Sequence, residues 1–183
     1  RETVDEAWPG DIIGIPNHGV LRVGDTLSES GTVVFTGIPN FAPEILRRVR
    51  LSDPMKQKHL MRALMSLAEE GVTQVFKPQI GSQWIVGVVG ALQLDVLKSR
   101  LVAEYGLDAE LEASPYDSAR WLLGEAAEIA RFSEANRGGM ATDRDGAPVF
   151  LAKSAWEVNY VAEKFPKLKF AKTRERHEVH AQG

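Results

Sequence analysis

Few runs in this sequence have the residue types and spacing that chemistry needs. Gly87-Val88-Val89-Gly90 is glycine-rich and precedes a helical pattern. A phosphate-binding loop would read GxxxxGK[ST], its amides cradling phosphate and its lysine reaching the same group. No lysine follows Gly90 directly, so the run reads as a tight strand-to-helix turn. His177-Glu178-Val179-His180 has the composition of a zinc motif. That motif needs histidines at i and i+4 on a helix, and these sit at i and i+3 in a polar tail. His18 falls in a turn and His59 on a basic helix face, with no nucleophile and orienting group evident beside either. No catalytic residue, cofactor-binding residue or metal ligand is assigned.

The cationic runs are more informative. Arg47, Arg48 and Arg50 interrupt an apolar strand pattern, read as a strand with one wet, basic face. Lys167, Lys169, Lys172, Arg174 and Arg176 surround Phe170. Charge runs most often mark a solvated face. Cations mixed with an aromatic also match a modest nucleic-acid footprint, in which phosphates are neutralised by Lys and Arg. These eight residues are the candidate RNA contacts. Trp84 and Trp121 are expected in cores rather than on stacking platforms.

The charge balance agrees with a localised footprint. Net charge is −3, which excludes a chain coated in basic residues. Between Glu104 and Glu134 there are eight acidic and two basic residues; between Glu163 and His177 there are six Lys or Arg and two Glu. The chain has no cysteine, so it holds no disulfide or thiolate metal site, and its composition suits a reducing compartment. No apolar run approaches the roughly 18 residues that span a bilayer. The first residues lack the apolar core of a signal peptide.

The elements that must position these residues follow from periodicity. Residues 1 to 43 are turn-rich, with short strands expected at Asp11–Ile15, Val20–Val23 and Val33–Phe35. Three strands cannot close a barrel. With Arg1 as its first residue, this segment is expected to be the end of a barrel that begins upstream. Residues 44 to 116 read as β-α-β-β-α-β. Strand Ile45–Leu51 leads to a helix opened by Asp53-Pro54, with Met61, Leu64, Met65 and Ala68 as its stripe. Gly71 stops that helix before a strand at Val72–Phe76. A strand at Trp84–Val89 leads to a helix carrying Leu94, Leu97 and Leu101, which Gly106 stops. The phrases LAEEGVTQVF (67–76) and VAEYGLDAEL (102–111) repeat the same helix, glycine, strand sequence. This is the ferredoxin-like split βαβ arrangement.

Residues 117 to 176 are expected to form an α/β extension. Ser118–Leu123 is a strand, and Glu125–Ala135 a helix with Ala126, Ile129, Ala130 and Phe132 inward. A hairpin turns at Asp145-Gly146. Ser154 and Glu157 form a capping box for a helix with Trp156, Tyr160 and Val161 as its apolar face. Leu168–Phe170 is a last strand, and residues 177 to 183 are a polar tail. The fold class is therefore α+β: a short barrel remnant, a ferredoxin-like unit and an α/β extension.

Three strings carry a family resemblance: GDIIGIPNHGVLRVGDTL (10–27), FTGIPNFAPEILRRVRLSDPMKQKHLMRALMSLAEEGVTQVFKP (35–78) and VVGALQLDVLKSRLVAEYG (88–106). Together they resemble the C-terminal part of the bacterial peptide chain release factor 3 family, which are translational GTPases. The first is similar to the end of their second, barrel domain, and the others to their third domain. The resemblance implies a role in translation termination, where GTP drives departure of the codon-reading release factors from the ribosome. It implies a cytoplasmic, monomeric protein contacting small-subunit rRNA and proteins, with no membrane partner. GTP and Mg are expected on a G domain of the parent protein, with no cofactor and no hydrolysis in this part. The alternatives are the corresponding piece of another translational GTPase, such as an elongation factor, or a small-molecule-sensing regulatory domain of ferredoxin-like fold.

Overall fold

The computed structural model describes residues 3–16, 26–30 and 40–174. Of the expected barrel strands, Val20–Val23 and Val33–Phe35 lie outside the described residues. Asp11–Ile15 is described and forms no strand ladder with any described residue. A strand exists only through a partner, and the neighbours expected for this one lie outside that set. Upstream of it, Asp11 closes a turn onto Trp8, whose amide donates to the carboxylate at 2.8 Å.

From residue 40 the elements run β1 (Asn40–Phe41), β2 (Ile45–Leu51), α1 (Gln57–Glu69), β3 (Gln74–Pro78), β4 (Ile85–Val88), α2 (Ala91–Tyr105), β5 (Ala109–Ala113), β6 (Ser118–Leu123), α3 (Ala126–Ala135), β7 (Met140–Thr142), β8 (Pro148–Ala152), α4 (Ala155–Lys164), β9 (Lys169–Ala171) and β10 (Thr173–Arg174). Asp53 caps a short 3-10 turn ahead of α1 by accepting from the Met55 amide at 2.9 Å. Gly71 (φ 76°) and Gly106 (φ 61°) end α1 and α2 in the left-handed region. After Gly71, the amide of Val72 closes on Leu67 O, as in a Schellman cap. The glycine-rich run is the turn from β4 into α2, where the Gln93 side chain accepts from the amides of Val89 and Gly90.

Eight strands form one antiparallel sheet in the order β5-β2-β4-β3-β7-β8-β6-β9. The first four strands have the ferredoxin-like order. The last four, with α3 and α4, have it as well. The extension is thus a second βαββαβ unit, joined to the first where β3 pairs antiparallel with β7. Counted along each unit, β5 and β9 are equivalent and form the two outer edges.

Three cores tie the layers together. One packs α1 and α2 on the first unit (Leu60, Leu64, Leu67, Leu97, Leu101 with Val49 and Val86). One packs α3 and α4 on the second (Phe132, Phe150, Val158, Val161, Leu168). The third lies between the helix-free faces of the two units: Leu46, Phe76 and Ile85 meet Trp121, Val149 and Leu151. The outcome is helices outside, two sheet halves inside, and a shared middle core.

The helix stripes differ from expectation. In α1 the buried residues are Leu60, Ala63, Leu64, Leu67 and Ala68, while Met61 is exposed. In α3 only Phe132 is fully buried. Ala126 and Ala130 instead line an open groove of about 530 Å³ with Pro78, Met140 and Pro148. In α4, Val158 and Val161 face inward, and Trp156 and Tyr160 face out. The inner side of α4 packs on a core already filled by Phe132 and Phe150. Trp121 is buried and Trp84 packs against the first core.

Candidate nucleic-acid interface

The expected contact residues separate into paired and unpaired cations. On β2 the two-residue period splits the three arginines. Arg48 and Arg50 share the helix-free face with Leu46. Arg47 lies on the face of Val49 and Leu51, toward the helices, with its Nη1 donating to Leu46 O. The single basic face expected of this strand therefore carries two arginines, not three.

Arg48 and Arg50 do not stand free. The register places Arg48 opposite Glu112 and Arg50 opposite Glu110 on β5. Arg48 Nη2 lies 2.9 Å from Glu112 Oε2, and Arg50 Nε lies 2.6 Å from Glu112 Oε1. Arg50 also bonds Glu110. That hydrogen bond, followed by the charges of Glu110 and Glu112, raises the Arg50 pKa above its usual value. The acidic alternation of β5 answers the basic alternation of β2 across the ladder.

Arg174 is also engaged. Its Nη1 is 2.6 Å from Asp143 Oδ2 and 3.1 Å from Asp145 Oδ2. Asp143 in turn accepts from Trp121 Nε1 at 3.0 Å and from the amides of Asp145 and Ala147. This network holds the β7–β8 turn against β10, whose partner is β1. Ala42 N donates to Lys172 O at 2.6 Å, so the C-terminal end of the described chain clasps the segment entering the first unit.

Residues 35–162 match the family described as class II release factor RF3, C-terminal domain. The chain belongs to that family. Residues 1–30 match elongation factor G domain 2. Both families are parts of translational GTPases, so this chain carries translation-factor domains of the release factor 3 type.

Just beyond the residues matched to the RF3 C-terminal domain, Lys167, Lys169 and Lys172 are exposed and make no ion pair among the described residues. Lys169 sits on β9 opposite Leu123. Lys167 lies in the turn before it and Lys172 just after it. Arg176 lies outside the described residues, as do His177 and His180. No group of three metal-ligating side chains occurs among the described residues. No described helix is long and apolar enough to cross a membrane.

The exposed pair on α4 was missed by sequence reasoning. Trp156 and Tyr160 stack with centroids 5.1 Å apart and planes 15° apart, and Lys164 Nζ lies 4.3 Å above the Tyr160 ring. The i, i+4, i+8 spacing of Trp156, Tyr160 and Lys164 was the available signal.

Proposed function

We propose that this chain is a non-catalytic, ribosome-contacting part of a cytoplasmic termination GTPase. In this reading it transmits GTP-dependent rearrangement so that codon-reading release factors leave the ribosome. GTP and Mg are assigned to a G domain of the parent protein. The two units and their shared core form a stiff body, clasped to its incoming segment by β1 and β10. A stiff body is what a shift between discrete domain arrangements needs. The boundaries at residues 43, 116 and 176 belong to this proposal, with the two βαββαβ units as one working body.

One observation carries the contact surface: Lys167, Lys169 and Lys172 are exposed along one outer edge and, among the described residues, unpaired. Unpaired lysines can neutralise phosphates at little cost, whereas Arg48, Arg50 and Arg174 would first give up carboxylate partners. The contact therefore centres on the β9 edge, with Arg47, Arg48 and Arg50 a secondary strip.

Co-sedimentation with ribosomes across a salt series tests this. Changing Lys167, Lys169 and Lys172 together to Gln should weaken binding and flatten the slope of log K against log salt by roughly 2 to 3, the value for three phosphates. Glu at Arg47, Arg48 and Arg50 should have the smaller effect. Unchanged binding by the lysine variant would remove this edge as the contact.

A further inference from the structure

Helix α4 displays an aromatic pair that its own fold does not use. Val158 and Val161 bury its inner side, yet Trp156 is 69% exposed and Tyr160 41% exposed on the outer side. The rings are held parallel in contact, and Lys164 caps the stack one turn further on. From Trp156 to Lys164 this stripe runs about 12 Å along the helix. It leads into the turn to β9, where Lys167 follows. Residues 153–172 contain five Lys and two Glu. Glu157 is committed to the helix start, where its carboxylate accepts from the Lys153 amide. The equivalent face of α2 carries Leu92, Val96 and Arg100 at the same positions counted from the N-caps Gly90 and Ser154. There the cation is already held by Glu70 and Glu104.

We propose that the outer face of α4 is a platform for unpaired RNA. Trp156 takes an exposed base by stacking, Tyr160 backs the indole, and Lys164 and Lys167 hold the flanking phosphates. An aromatic face beside a cationic track is how single-stranded nucleic acid is gripped without sequence readout. It suits RNA, whose loops and bulges offer splayed bases. A protein partner would need a wider apolar area, and the neighbours of the two rings are Glu157, Asn159, Glu163 and Lys164. The proposal rests on the ribosome-contact reading for the source of the RNA and adds the element that grips it.

The test is fluorescence anisotropy of the full chain with a short labelled single-stranded RNA and with its duplex. Combining Trp156→Ala with Tyr160→Ala should weaken single-strand binding by roughly 5- to 150-fold, the equivalent of about 1–3 kcal/mol for one stacked base. Duplex binding and the salt slope should stay as in wild type. Trp156→Phe should restore most of the affinity. Both rings are exposed, so thermal melting should match wild type. The stacking proposal falls if wild type does not bind the single strand at low salt, or if the double variant binds it as tightly as wild type. An equal loss on duplex also overturns it. So does a loss on ribosomes alone, which would assign the stripe to a protein partner. The lysine variants decide the ribosome reading separately: if they release ribosomes and the aromatic variants do not, only the stacking claim fails.

Discussion

The two βαββαβ units of this chain share a topology and differ in how they treat charge. In the first, the edge strand β5 is acidic and meets the arginines of β2 across the ladder. In the second, the equivalent edge strand β9 is basic and its neighbour β6 offers no acid to Lys169. The crossover helices diverge in the same sense: Arg100 of α2 is tied by two glutamates, and Lys164 of α4 lies over a tyrosine ring. At these matched places, the β2–β5 edge and α2 pair their cations with carboxylates, whereas β9 and α4 present theirs. A cluster of cations in sequence thus becomes a surface only where the fold has not placed carboxylates opposite.

Calling the halves equivalent requires that they stand or fall together, and the largest expected effect tests this. Leu64 and Phe132 are the fully buried anchors of the two outer cores. Phe132 meets Phe150, Phe165 and Phe170 edge-on at 5.0–5.3 Å. Leu64→Ala should cost about 2–5 kcal/mol and Phe132→Ala about 3–5 kcal/mol. Both should move a single urea transition, followed by circular dichroism and by tryptophan fluorescence, because the middle core and the β3–β7 ladder join the halves. Two separate transitions would show that the units fold independently.

The first unit was the more legible one. Strand Ile45–Leu51, the stops at Gly71 and Gly106 and the Asp53-Pro54 start all stand as read, because each rests on local signals of period, cap or turn. The second unit was read only as an extension. Its strands β7 and β9 are three residues each, too short for a period to show. Hydrophobicity alone drew Trp156 and Tyr160 inward, although Val158 and Val161 are the residues of α4 that meet the core. At the interface, cation count was legible and cation pairing was not. Arg48 and Glu112 are 64 residues apart in sequence, and only the strand register brings them together.

A mid-sized effect sharpens the comparison at the middle core. Gly87 on β4 and Leu151 on β8 sit at matching places on the inner faces. A Cβ on Gly87 would lie 2.6 Å from Pro43 Cγ and 3.0 Å from Phe76 Cε2. In the first unit the entering segment fills the space that a leucine fills in the second. Gly87→Ala should destabilise by about 1–3 kcal/mol through overpacking, measured by chemical denaturation. If Gly87→Ala proves neutral, Pro43 yields easily and the entering segment is less firmly seated than the clasp with β10 suggests.

The smallest effect on stability bears most directly on the difference between the units. If the first unit is silent because its arginines are paired, freeing them should give it a voice. Glu110→Gln with Glu112→Gln removes the acids opposite Arg48 and Arg50 and leaves the strand ladder intact. These pairs are partly open to solvent, where ion pairs contribute little to folding, so the melting temperature should move only slightly. Ribosome affinity at low salt should rise, and the salt slope should steepen by up to roughly 1.4 to 1.8 if both arginines reach phosphates. The same change made together with Gln at Lys167, Lys169 and Lys172 separates two cases. Recovered binding would mean the edges are interchangeable once unpaired. No recovery would mean that only the β9 edge faces the ribosome, so position as well as pairing distinguishes the two units. Unchanged affinity and slope in the Glu110, Glu112 variant alone would break the pairing explanation outright.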